Sequence, residues 1–250
     1  MSKVYKIKHG DLFFFLVIFF LSGLIIGSTF APVKEKEVVK YVPSNITITG
    51  TSVEMLLPAV DQEGTGVVGK LITTIKPGSG LVLVNVNDVI AQYNTQLSGR
   101  TAAKAASSVS KIDLSKLDII YTIKVNATAI EGPSAGAAMA VSIIAALENK
   151  TLNDEVSITG VINEDGSISP AGAILEKART AKEHGIKTFL VPVNQSLESK
   201  ITPERQCRTA DGIEYCSIRY VEQGRTIGEI AGLETVEVSN IEEALRYFVK

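Results

Sequence analysis

The chain has 250 residues, with 25 basic and 27 acidic side chains, a net charge of −2 and no tryptophan. It shows neither a basic stripe nor an aromatic platform, which argues against a nucleic-acid partner. Its two histidines and two cysteines form no cluster with metal-ligand spacing, so no metal and no cofactor is expected.

A short basic tail, residues 1–11, carries Lys3, Lys6 and Lys8 and leads into residues 12–31, twenty positions without a charge and with six phenylalanines. About 20 apolar residues cross the hydrocarbon core as a helix, so residues 12–31 are expected to be a transmembrane anchor. The competing reading is a signal peptide cleaved after Thr29-Phe30-Ala31. The apolar run exceeds the usual length of roughly 7–15 residues for such peptides, and Pro32 follows the would-be cut. Lys34, Lys36 and Lys40 nearly balance the lysines before the span. The short basic tail favours an inside amino terminus, which puts the rest of the chain on the extracytoplasmic side.

Residues 32–48 read as a charged, then polar, stalk, and residues 49–250 as one domain. Strands are expected near 50–60, 66–75 and 81–86, a helical stretch after Asn87, and a strand over 118–125. An apolar helix over 137–147 follows Glu131-Gly132-Pro133-Ser134-Ala135-Gly136. Then come a strand pair within 155–169, a helix from Pro170, a strand over 187–193, an inserted segment over 195–234 and a closing helix over 240–248. This is an α+β pattern. Gly64 to Leu71 has the spacing of a phosphate-binding loop, but Leu71 stands where a Mg²⁺-holding hydroxyl is needed and a strand-like run follows instead of a helix.

The segment ending at Gly136 carries the chemistry. Ser134 sits where a loop becomes a helix. Glycines at 132 and 136 let backbone approach a substrate, and the helix start offers free N–H groups to developing negative charge. An ordinary turn capped by Ser134 fits the same six residues. A nucleophilic serine needs a base. His9 precedes the apolar run and His184 lies in a charged helix end, which makes a Ser-His-Asp triad a poor fit. A lysine that loses its proton through burial is the other way to activate serine at neutral pH. Lys177 follows the small and apolar Ala171-Gly172-Ala173-Ile174-Leu175, and with Ala173 and Ile174 it falls at helical spacing. A snorkelling surface lysine paired with Glu176 or Glu183 is the plain alternative.

Taken together, Glu131 to Gly136 before an Ala-rich helix, Thr159-Gly160, Pro170-Ala171-Gly172, Glu176-Lys177 and Gly185 to Pro192 resemble the proteolytic domain of Lon proteases. The 43 positions between Ser134 and Lys177 match the interval of that family's Ser-Lys dyad. The resemblance implies a single Lon-type proteolytic domain, a mixed sheet with packed helices. It implies Ser134 as nucleophile, Lys177 as general base, Thr159 as the residue that holds the lysine, and a supporting acid at Glu131. Many members carry aspartate at that last position. Another departure is Ala173, where members often have glycine; alanine there asks the backbone to avoid positive φ. Lon enzymes usually carry an ATPase module, for which 250 residues leave no room, so the resemblance implies cleavage of unfolded or flexible polypeptides without it. Assembly into a homo-oligomeric ring is implied by the same analogy. A Ser-Lys amidase, a narrow-specificity processing peptidase and an inactive anchored binding module are the alternatives.

Cys207 and Cys216 flank a turn at Asp211-Gly212, a spacing that suits a disulfide-closed hairpin in an oxidising compartment; two free thiols remain the alternative.

Overall fold

The structure, a computed structural model, describes residues 17, 19–20, 50–85, 90–127, 129–130, 132–210 and 212–249. The chain divides into two compact units, Met1–Val39 and Lys40–Lys250. In the first, Val17, Phe19 and Phe20 are helical and exposed. The basic tail, the rest of the expected span at 12–31 and the stalk at 32–48 lie outside the described residues. Among the described residues, no helix is long and apolar enough to cross a membrane.

The second unit begins with β1 (Thr51–Val60), whose buried Val53, Met55 and Leu57 alternate with outward residues, as a strand with one covered face requires. It pairs antiparallel with β2 (Gly66–Pro77). After β3 (Val82–Asn85) and the short β4 (Ile90–Ala91), helix α1 (Tyr93–Ser110) leads to β5 (Leu117–Val125). β5 lies between β2, to which it is antiparallel, and β3, to which it is parallel. The sheet order is therefore β1-β2-β5-β3. The segment with phosphate-loop spacing runs into β2 and not into a helix, and Lys70 there pairs with Glu54 of β1 at 2.8 Å.

β6 (Ala129–Ile130) pairs parallel with β4, and a 3₁₀ turn, Pro133–Ala135, opens α2 (Gly136–Leu147). Every residue of α2 is buried. A helix apolar on all sides belongs at the centre of a fold, and α2 packs against both α1 and the four-stranded sheet. Its one buried hydroxyl, on Ser142, is satisfied by Thr73 of β2 at 2.6 Å.

β7 (Val156–Ile158), β8 (Val161–Ile162) and β9 (Ile168–Ser169) follow, then α3 (Ile174–Glu183) and β10 (Thr188–Pro192). Helix α3 starts four residues later than the sequence predicts. The expected insertion is a long antiparallel hairpin, β11 (Leu197–Ala210) and β12 (Ile213–Thr226), followed by the short α4 (Ile227–Ala231). The chain ends with β13 (Glu234–Val238) and α5 (Ile241–Phe248). β13, β10 and β7 form a second, parallel sheet. The two sheets are tied where Ser157 of β7 donates to the Leu56 carbonyl of β1 at 2.9 Å. The mixed sheets and packed helices make an α+β domain. A second apolar cluster joins Ile174, Ala178 and Ala181 of α3 to Phe189 and Val191 of β10 and Ile227 of α4, and it seats the helix that carries Lys177.

Candidate active site

Gly132 has φ +100 and ψ 155, a conformation that a side chain resists, and Pro133 then begins the 3₁₀ turn with its φ already set. The turn is held from two sides. Thr95 and Ser98 of α1 donate to the carbonyls of Gly132 and Pro133 at 3.4 and 3.2 Å. From the opposite side, the N–H of Gly160 donates to the Ser134 carbonyl at 2.9 Å, and the Gly160 carbonyl accepts from Ala137 N–H at 3.1 Å. Gly136 works differently from expectation. A Cβ there would lie 2.6 Å from Ile162 Cγ2 and 3.2 Å from its backbone nitrogen, so this glycine lets α2 press against β8 and does not open the backbone to a substrate. No side-chain cap is made at the start of the turn or of α2, so the Ser134 hydroxyl is not spent on capping.

The hydroxyl meets Lys177 instead. Lys177 Nζ lies 2.8 Å from Ser134 Oγ and 3.2 Å from Thr159 Oγ1. The lysine is 3% exposed, far from the snorkelling alternative. Burial pushes its pKa down to about 8. At pH 7 roughly one molecule in ten would then hold a neutral amine able to take the serine proton. Thr159, itself buried at the end of β7, accepts from Nζ and donates to the Ser134 carbonyl at 3.4 Å, so one side chain touches both partners. Glu131 lies outside the described residues. Beside Ser134 opens an apolar recess lined by Leu57, Ala59, Ile123 and Val125, flanked by Thr95 and Gly132. A neutral lysine beside an uncapped serine hydroxyl can attack a carbonyl.

Ala173 overturns the expectation drawn for it. The residue has φ 56 and ψ 42, inside the left-handed region, where a Cβ costs roughly 1–2 kcal/mol. Its neighbours explain how the turn is kept: Gln195 Nε2 donates to the Ala171 carbonyl, and Gln195 Oε1 accepts from Ala171 N–H, both at 2.8 Å. Ala171 is thus gripped just before the strained position. His184, at the exposed end of α3, has its Nδ1 2.8 Å from the Thr180 carbonyl.

Thr95, Ser98 and Gln195 went unmarked in the sequence. The first two were findable, because with Gly99, Ala102 and Ala106 they form the small-residue face of α1 at helical spacing, all buried. Gln195 leaves no such signal.

Cys207 and Cys216 stand opposite each other across β11 and β12, Cα atoms 4.0 Å apart, and are joined by a disulfide. With Glu214 they are the one group among the described residues whose ligand atoms cluster as for a metal, but the bridge removes both thiolates as ligands.

A family model for the Lon protease (S16) C-terminal proteolytic domain matches residues 65–224, a stretch that contains Ser134, Thr159, Lys177 and Gln195. Among curated proteins, the chain is similar to the archaeal Lon protease of Thermococcus kodakarensis, 30% identical over 155 residues, which covers 59% of this chain and 24% of that protein. It is similar to the Lon protease of Koribacter versatilis, 28% identical over 163 residues, covering 64% of this chain and 19% of the relative. With the Lon protease of Vibrio parahaemolyticus it shares 37% identity over 89 residues, 36% of this chain and 11% of the relative. The chain therefore spans less than a quarter of the length of these relatives.

Proposed function

We infer, from the premise that this chain belongs to the family of Lon protease (S16) C-terminal proteolytic domains, that it is a peptidase whose nucleophile is Ser134 and whose general base is Lys177. One observation carries the reading: a buried lysine with its pKa pushed down to about 8 lies 2.8 Å from a serine hydroxyl that caps no helix.

The neutral Lys177 amine takes the Ser134 proton as Oγ bonds to the peptide carbonyl carbon. The carbonyl oxygen becomes an oxyanion, stabilised by backbone N–H groups around Ser134. The tetrahedral adduct collapses, the C–N bond breaks, and the Lys177 ammonium returns its proton to the departing amine. Water then attacks the acyl-serine, gives its proton to Lys177, and releases the carboxyl product with Ser134 restored by the same proton. Thr159 keeps Nζ aligned through both stages.

Substrates on this reading are unfolded or flexible polypeptides. The protein is tethered to a bilayer through residues 12–31, with the proteolytic domain on the extracytoplasmic side and assembled as a homo-oligomer. The absence of charge over residues 12–31 supports the tether, and the Cys207–Cys216 bridge supports an oxidising compartment.

The test is cleavage of casein by the detergent-solubilised full chain without nucleotide. Ser134→Ala should abolish turnover and labelling by a serine-directed acylating probe, and Lys177→Ala should lower turnover by about 10³-fold or more. Retained turnover in Ser134→Ala would remove the assignment of the nucleophile.

A further inference from the structure

The helix that delivers Lys177 has an enforced beginning. Its first hydrogen bond runs from Lys177 N–H to the Ala173 carbonyl at 3.1 Å, so any rotation at Ala173 is passed directly to the lysine. Ala173 occupies the left-handed region without being glycine, a state that persists only where surrounding structure over-determines it.

Gln195 supplies that constraint. Its amide makes a closed pair of 2.8 Å hydrogen bonds with the backbone of Ala171, as one strand would with another. Both ends of the amide are used with the correct polarity, which fixes its orientation. Gln195 is itself anchored, since its N–H donates to the Pro192 carbonyl at the end of β10 at 3.1 Å, and Asn194 before it turns through φ 63. A strand of the second sheet thereby sets the start of α3. At the other end of the helix's first turn, Lys177 Nζ must reach two hydroxyl oxygens at 2.8 and 3.2 Å. That geometry tolerates little drift.

We propose that Gln195 is a positioning residue for the Ser134–Lys177 pair: by gripping the backbone of Ala171 it holds the left-handed turn at Ala173 and so fixes the direction in which α3 presents Lys177. The proposal rests on the dyad reading above. Gln195 touches neither reacting atom.

The experiment compares wild type, Gln195→Ala, Gln195→Glu and Gln195→Ala with Ala173→Gly in the full chain. Displacing a catalytic group by about 1 Å costs up to roughly 100-fold, so Gln195→Ala should lower kcat on a fluorogenic peptide by about 10- to 100-fold and leave KM within about twofold. Gln195→Glu keeps the acceptor for Ala171 N–H and loses the donor, and should fall in between. Glycine at 173 adopts the left-handed turn without the grip, so the double variant should recover most of the lost kcat. This rescue separates positioning from general loss of stability, and the last two variants report even if Gln195→Ala fails to fold.

A second readout needs no turnover. The rate of Lys177 acetylation by acetic anhydride against pH, read by mass spectrometry, reports its titration. The groups facing Nζ are the Ser134 and Thr159 hydroxyls. Burial lowers its pKa; the charged groups on α3 and on the elements packed against it are Glu176, Arg179, Lys182 and Glu183, Glu54 of β1, Lys70 and Lys76 of β2, and Glu229 of α4. The midpoint should lie near 8 in wild type, rise in Gln195→Ala as the ammonium gains water, and return in the double variant. An unchanged kcat and midpoint in Gln195→Ala, or a double variant no better than the single one, overturns the proposal. A wild type without peptidase activity but with the expected acetylation profiles would overturn the dyad reading and leave the role of Gln195 in aiming Lys177 standing.

Discussion

Burying Lys177 costs the fold stability, and the sign of that effect with pH can be worked out. Its folded pKa, about 8, lies below the ordinary lysine value of the unfolded chain. Below pH 8 both states bind the proton, so the folded state bears the full cost of a buried ammonium. Between 8 and the ordinary value the unfolded chain keeps a proton that the folded one has shed, and stability rises with pH. Lys177→Met, similar in length and without the charge, should therefore stabilise the domain at pH 7 by up to about 3 kcal/mol. The advantage should shrink as the pH approaches 10. Melting temperatures of the two proteins at pH 7 and 9.5 check this, and an equal gap at both would mean that the ammonium is not desolvated. The same residues show what a sequence can and cannot announce. Ser134 and Lys177 were legible as a pair through the resemblance to the Lon proteolytic domain and its 43-position interval; few histidines and small residues before 177 allowed a buried lysine base but left a surface lysine equally open. Gln195 and the conformation of Ala173 were not legible: amide-to-backbone bonds select no residue pattern, and a strained φ at alanine contradicts the local rule that a sequence reading must apply.

At the scale of elements, β11 and β12 depend on a cross-link in a way the sheets do not. A lone two-stranded hairpin is marginal in water, and Tyr215, Ile218 and Tyr220 near its end are exposed, adding little burial. The bridge closes a loop with a sequence separation of 9, which by chain entropy is worth about 2–3 kcal/mol. Its root is secured independently, by Ile227 N–H donating to the Ser196 carbonyl at 2.8 Å and by Ser196 Oγ donating to Glu237 at 2.6 Å. Cys207→Ser with Cys216→Ser should thus release amides over 203–220 to fast hydrogen exchange while those of α2 and α3 stay protected and cleavage of a short peptide is kept. Loss of protection in α3 would show that the hairpin supports the site. The strands with alternating burial and the apolar α2 were readable from pattern alone, as was a turn at Gly212, whose φ is 75; Asp211 lies outside the described residues. β13 was not, because Glu234-Thr235-Val236-Glu237-Val238 falls between the expected insertion, which ends at 234, and the closing helix, and too short a run shows no pattern until β10 offers it a parallel edge. α4, five residues opened by the Thr226–Glu229 capping box, is too short for any period to show.

For the molecule as a whole, composition divides the chain more sharply than any fold argument. Six of its eight phenylalanines fall within residues 12–31, while the other two, Phe189 and Phe248, are fully buried in the proteolytic domain. A globular unit of this size has no use for six phenylalanines in twenty uncharged positions, whereas a bilayer does. The bridge adds a condition, since a disulfide persists where thiols are not kept reduced. If both readings hold, the protein should stay in the membrane pellet after alkaline carbonate extraction, and its domain should be digested by protease added to intact cells. After alkylation under non-reducing conditions, Cys207 and Cys216 should be recovered in one linked peptide. Release by carbonate would remove the anchor. A protected domain with two free thiols would invert the topology, because a cytoplasmic domain keeps its cysteines reduced and an external protease away.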